Sequence, residues 1–194
     1  KGGIGTSSRL LPQSLGGYTI GILVQTNFGG ILTMNSAPVG RELRQYSYKD
    51  NLIDTANEDK IDGSIMIVVA TDAPLNAKNL ERLAMRAIMG LARTGSHASN
   101  GSGDYVVAFS THPSVRRPRL SEKPVASLSL VNASMSPLFA ATAEATEEAI
   151  YNAIFKATTV ESDRGIRKAV PIKDLMRILE KYNALHWDKN ISKN

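Results

Sequence analysis

The chain has 194 residues, 42% of them hydrophobic and 21% charged, with a formal net charge of +5. That hydrophobicity excludes a disordered chain, the length fits one domain, and no run approaches the roughly 18 uninterrupted apolar residues of a membrane helix, so no membrane partner is expected. Cysteine is absent, which removes a disulfide framework, a thiolate nucleophile and a cysteine-built zinc site together.

The opening Gly2-Gly3-Ile4-Gly5-Thr6-Ser7-Ser8-Arg9 has no periodicity and reads as an ordered loop. It lacks the preceding strand and the Lys-Ser/Thr ending of a phosphate-binding loop. Residues 18–25 are β-branched and apolar on both faces, as in a buried strand, and Gly29-Gly30 can turn the chain into a second strand over 31–34. Residues 50–62 hold five acids, Asp50, Asp54, Glu58, Asp59 and Asp62, with little apolar content, and read as an exposed connection. It ends in Asp62-Gly63-Ser64 and runs into Ile65-Met66-Ile67-Val68-Val69-Ala70, an apolar run typical of a covered central strand.

Residues 76–93 are the clearest helix, with Leu80, Leu83, Ala84, Ala87, Ile88 and Leu91 on one stripe and Gly95 past its end. A Gly/Ser/Asn loop over 95–103 leads into a strand over 104–110, followed by a Pro/Arg-rich loop over 112–124. Further helices are predicted over 143–157 and 171–182, the latter with Pro171 in its first turn, and residues 188–194 read as a frayed tail. From Arg164 onward, eight bases against three acids carry the whole net charge at solvent-facing intervals of a terminal helix. Without interleaved aromatics or glycines this pattern does not suit nucleic acid, and no nucleic-acid partner is expected.

The chemistry has few sources. His97, His112 and His186 lie in loops or near the tail with no metal-ligand spacing, so neither a metal site nor a Ser-His-Asp triad is expected. The pairs Glu147-Glu148 and Asp59-Asp62 are expected on solvated faces or in the linker, not as an acid/base pair. What remains is Gly63-Ser64, where an exposed linker meets a buried strand. A chain can cut itself there: the hydroxyl attacks the preceding carbonyl, an N→O acyl shift follows, and hydrolysis frees a serine whose own α-amine serves as general base. The amine's unperturbed pKa, about 7.7–8, suits that task. The same three residues also suit a plain turn before a strand. In Asn100-Gly101-Ser102-Gly103-Asp104, Ser102 and Asp104 sit two apart and can face one side of an extended chain.

Val24-Gln25-Thr26-Asn27-Phe28-Gly29-Gly30, Ala37-Pro38-Val39-Gly40, Asp62-Gly63-Ser64, Val69-Ala70-Thr71-Asp72-Ala73-Pro74-Leu75, Asn79-Leu80-Glu81-Arg82-Leu83-Ala84, Asn100-Gly101-Ser102-Gly103-Asp104-Tyr105 and Ala108-Phe109-Ser110-Thr111 follow in order. Together they resemble the autoprocessing N-terminal-serine aminopeptidases, the L-aminopeptidase D-amidase/D-esterase and β-peptidyl aminopeptidase family, peptidase family S58. The resemblance runs from Gly2 to about Tyr182. It implies an α/β fold of four layers, an α/β/β/α sandwich similar to N-terminal-nucleophile hydrolases with its own connectivity. It implies scission between Gly63 and Ser64, leaving 1–63 as the end of an α chain and 64–194 as the β chain of one domain.

By that resemblance Ser64 is the nucleophile, Ser102 and Asp104 position and tune its amine and the tetrahedral intermediate, and Asn27 donates its amide to the oxyanion, with Asn35 as the alternative. Short peptides, amides or esters would be the substrates, no cofactor is implied, and αβ pairs would form a homo-oligomer, a homotetramer in the family. Family precursors extend well upstream of Lys1, and that portion supplies an oxyanion tyrosine and residues of the pocket wall. Either the numbering begins inside a longer precursor, another chain supplies the rest, or the piece is inactive. Two other readings stand beside this one: an acyltransferase like the ornithine acetyltransferases, which cleave before threonine where Ser64 stands, and a non-catalytic or truncated subunit of the same fold. No signal-peptide pattern is present, and the cytoplasm is expected ahead of the periplasm.

Overall fold

The β-branched, apolar run around residue 22 and the apolar run after Ser64 both become strands of one four-stranded sheet. The computed structural model describes residues 2–49, 63–117, 124, 126–163 and 165–186. The acidic linker over 50–62, residues 118–123 of the Pro/Arg-rich loop and the tail over 188–194 lie outside the described residues. Strands β1 (Ile4–Leu10), β2 (Thr19–Asn27), β3 (Ser64–Thr71) and β4 (Gly103–Ser110) lie in that order across the sheet. β1 and β3 each run antiparallel to β2, whereas β4 runs parallel to β3. A parallel pair needs a crossover. Here it is α2 (Ala77–Arg93), started by Asn76, whose side-chain oxygen accepts the Asn79 N–H at 2.9 Å. The chain also forms α1 (Val39–Glu42), α3 (Ser136–Lys156), an exposed hairpin of β5 (Val160–Ser162) and β6 (Gly165–Arg167), and α4 (Ile172–Lys181).

Every second residue of the central strands points to one face. Ile20, Ile22 and Val24 of β2 and Ile65, Ile67 and Val69 of β3 are buried there against Leu83, Ala87 and Leu91 of α2 and Leu138, Ala149 and Ile150 of α3. Each such aliphatic side chain stabilises the fold by about 1.5–3 kcal/mol relative to exposure. A smaller core joins Met34, Ala37 and Val39 to Leu175, Ile178 and Leu179 of α4.

The opposite face of the sheet is apolar and bare: Leu23, Met66, Tyr105, Val107 and Phe109 are all exposed. The run over 18–25, read as buried on both faces, is therefore covered on one face only by the described residues. The four-stranded sheet and the helices on one of its faces make two layers of α/β architecture, with the β5–β6 hairpin as a separate two-stranded sheet.

Three local expectations are corrected. The opening segment is the edge strand β1, not a loop; its Arg9 bonds Glu148 at 2.5 Å, tying the strand to α3. Residues 31–34 do not pair with β2. Instead the Ile31 N–H donates to Gly95 O at 2.9 Å and the Thr33 N–H to Thr94 O at 3.1 Å, so this segment spends its donors on the end of α2. And α3 begins at Ser136 rather than at 143, with Pro137 in its first turn, where the missing N–H costs nothing.

Candidate active site

Three strand ends meet in one row. Ser64 is the first residue of β3, and the ladder pairs it with Asn27, the last residue of β2, on one side and Gly103, the first residue of β4, on the other. Antiparallel β2 ends where β3 begins, and parallel β4 begins beside it. Residues distant in sequence are thus brought together by backbone register.

Ser64 is half-buried, and its Oγ accepts a hydrogen bond from the Gly103 N–H at 3.2 Å. The hydroxyl is held by a backbone donor and not by a histidine. His97 packs on Tyr48 at a ring distance of 5.6 Å, and His112 bonds Ser114 at 2.8 Å in the turn that follows β4. Among the described residues no group of three or more His, Cys, Asp or Glu converges as metal ligands would.

Ser102 and Asp104 meet: the Ser102 hydroxyl donates to Asp104 Oδ1 at 2.8 Å. With its proton committed there, the Ser102 oxygen presents lone pairs to its surroundings. By the alternation of β4, Asp104 lies on the side of Val106 and Ala108, which pack toward the helices, while Ser64 stands with Met66 and Val68 on the other. The backbone nitrogen of Ser64 lies between, in the plane of the sheet.

The two asparagines separate clearly. Asn27 is exposed beside Ser64, and among the described residues its side-chain amide has no hydrogen-bond partner. Asn35 is occupied elsewhere: its Nδ2 donates to Ala184 O at 3.1 Å and its N–H to the Tyr151 hydroxyl at 3.3 Å. Tyr151 in turn donates to Glu147 Oε1 at 2.7 Å. Burial, reinforced by that bond, pushes the Tyr151 hydroxyl well above the ordinary tyrosine range, so it stays a donor. Asn35 belongs to the seam between α3 and the smaller core.

Sequence reading missed two features. Gly63 is buried, and a Cβ on it would stand 2.5 Å from Asn27 O and 2.7 Å from Phe28 Cα, so the strand entering Ser64 is pressed against the backbone of the Asn27 turn. The N–H of Gly103 was the other; a glycine flanked by Ser102 and Asp104 was the available signal. Asn27 also lines a cavity of about 240 Å³ with Phe28, Leu32, Leu43, Ile154 and Val170.

The sequence model of peptidase family S58 matches residues 1–168. Among curated relatives, the β-peptidyl aminopeptidase BapA of Sphingosinicella microcystinivorans is 39% identical over 194 residues, covering 95% of this chain and 49% of its own. That of Sphingosinicella xenopeptidilytica is 36% identical over 190 residues, covering 93% and 46%. Among solved structures, the L-aminopeptidase D-Ala-esterase/amidase of Ochrobactrum anthropi, described as a variant of the Ntn hydrolase fold, superposes with a TM-score of 0.79 at 34% identity over 95% of this chain and 49% of its own. The PH0078 protein of Pyrococcus horikoshii gives 0.78 at 43% identity over 94% and 48%. The chain spans about half the length of the relatives it matches, and its mixed sheet with helices on one face is the α/β fold of these Ntn-type aminopeptidases. The chain belongs to peptidase family S58, an aminopeptidase family of hydrolases.

Proposed function

We propose that this chain carries the nucleophile of a serine aminopeptidase that cuts itself before Ser64 and then removes N-terminal residues from short peptides, amides or esters. The observation that carries the reading is the row of Asn27, Ser64 and Gly103, in which the Ser64 hydroxyl is held by a backbone donor beside an exposed asparagine amide.

In maturation, Ser64 Oγ attacks the Gly63 carbonyl carbon, the C–N bond between them breaks, and the acyl group moves from nitrogen to oxygen. Water then cleaves the ester, leaving a carboxylate on Gly63 and a free amine and hydroxyl on Ser64. In turnover that amine takes the Oγ proton as the hydroxyl attacks the substrate carbonyl and passes it to the leaving nitrogen or oxygen, leaving an ester on Oγ that water then hydrolyses to free the acid and restore the hydroxyl. Asn27 donates to the developing oxyanion, a contribution of about 2.7–4 kcal/mol for one preorganised donor. Ser102, its own proton held by Asp104, accepts from the Ser64 amine and orients it.

The bare face of Leu23, Met66, Val107 and Phe109 supports a further part of the reading. A contiguous apolar sheet face is stable when another layer covers it, and the rest of the four-layer sandwich is the natural cover. Assembly of αβ pairs into a homo-oligomer in the cytoplasm completes the proposal. The test is hydrolysis of aminoacyl p-nitroanilides by the full chain that carries these residues. Turnover that vanishes in Ser64→Ala supports the reading, and turnover unchanged in that variant refutes it. Acetyl transfer to an amino acid amine in excess of hydrolysis would favour the acyltransferase reading.

A further inference from the structure

Beside the row of strand ends lies a narrow gap. Tyr105 stands two residues along β4 from Gly103, on the same face of the sheet as Ser64, with 63% of its surface exposed. A methyl group placed on Gly103 would lie 3.3 Å from Ser64 Oγ and 3.0 Å from Tyr105 Cε2. The hydroxyl and the ring edge thus flank one space slightly narrower than a methyl group needs, which a shift of the exposed Tyr105 ring by a few tenths of an ångström opens, and at its base the Gly103 N–H donates to Oγ. A carbonyl carbon poised for attack must stand roughly 3–3.5 Å from the nucleophile, which is the distance at which the missing Cβ would stand.

We infer that Gly103 and Tyr105 bound the acyl subsite: the carbonyl end of the substrate's N-terminal residue enters the space between the Ser64 hydroxyl and the Tyr105 ring, and the ring limits the bulk carried next to that carbonyl. The inference rests on Ser64 being the nucleophile. Gly103 is a positioning residue, acting through its N–H on Oγ and through its lack of a side chain. Tyr105 contacts the acyl residue and selects small N-terminal residues over bulky ones.

Position 103 allows a clean steric test, because its backbone is not in the left-handed region and alanine is conformationally acceptable there. In the full chain that carries these residues, Gly103→Ala, Tyr105→Ala and Tyr105→Phe are compared with the parent on glycyl, alanyl and leucyl p-nitroanilides, with circular dichroism and thermal melting alongside. Gly103→Ala should lose about 10²-fold in kcat on all three while melting as the parent does, since the methyl displaces the reacting carbon by about 1 Å. Tyr105→Ala should raise the leucyl-to-alanyl ratio of kcat/KM by about tenfold, mainly through KM. Tyr105→Phe should keep the parental ratio, because the ring and not its hydroxyl forms the wall. A structural role moves all substrates together and leaves the ratio unchanged. An unchanged ratio in Tyr105→Ala overturns the inference even if Gly103→Ala fails to fold, and so does full turnover by a folded Gly103→Ala. An inactive parent, or undiminished turnover in Ser64→Ala, overturns the nucleophile reading and the subsite with it.

Discussion

Gly63 is the residue whose replacement probes the scission geometry most sharply. An alanine Cβ there would stand 2.5 Å from Asn27 O and 2.7 Å from Phe28 Cα, against ordinary contacts of 3.4–4 Å. Both obstacles are backbone, so no side chain can swing aside, and the strand entering Ser64 must part from the Asn27 turn by about 1 Å. A displacement of that size costs on the order of 10²-fold where a nucleophile must meet its carbonyl at 3–3.5 Å. Overpacking of this kind also costs about 1–3 kcal/mol of stability. The backbone of Gly63 is not in the left-handed region, so the effect is steric and not conformational. We expect Gly63→Ala to fold, melt somewhat lower and accumulate uncut chain, read as the ratio of intact to split polypeptide on a denaturing gel at timed intervals after synthesis. Maturation of Gly63→Ala at the parental rate would refute the reasoning.

Asn27→Ala should lower kcat by about 10²–10³-fold with little change in KM, whereas Asn35→Ala should lower the melting temperature and leave kcat alone; steady-state kinetics and melting curves on both variants check this. Asp104→Asn should slow catalysis more than it harms folding, and should shift the base limb of the kcat/KM profile from its expected place at about pH 7.7–8. Tyr151 is held protonated in the fold, so its raised pKa stabilises the protein below the ordinary tyrosine value of about 10, and that stabilisation is lost as pH rises beyond it. Urea melts at pH 8 and pH 11 should show a larger alkaline loss for the parent than for Tyr151→Phe. On the bare sheet face, Val107→Asp should leave the far-UV spectrum of this chain intact and impair its association with the remaining layers, measured by co-purification.

The elements that could be read from sequence are those whose pattern answers to a single surface. α2 packs one stripe on the sheet, so Leu83, Ala87 and Leu91 announce it. α3 lies beside α2 on the same face of the sheet and packs against both, and its buried face is built of Ala141, Ala145 and Ala149 with Thr142 and Thr146. Those threonines return their hydroxyls to carbonyls four residues back, at 2.8 Å each, so polar residues sit in the core without disclosing it. β1 hides for a related reason: an edge strand of Thr6, Ser7, Ser8 and Arg9 has no apolar alternation to find. At the site, the Gly-Ser junction and the Ser102–Asp104 pair were visible as local spacings. The nearness of Asn27, Ser64 and Gly103 was not, because strand register creates it and no local pattern encodes which ends will align. The resemblance prefers Asn27 to Asn35; that Asn35 is occupied elsewhere was not legible, because its partners Ala184 and Tyr151 lie far from it in sequence.

The central claim, that Ser64 becomes a self-generated N-terminal nucleophile, is tested most directly by the intact mass of the purified full chain under denaturing conditions, beside Ser64→Ala. The account predicts two masses that together equal the whole chain plus one water, split between Gly63 and Ser64, and one uncut mass in the variant. A single uncut mass in an active parent protein would contradict it.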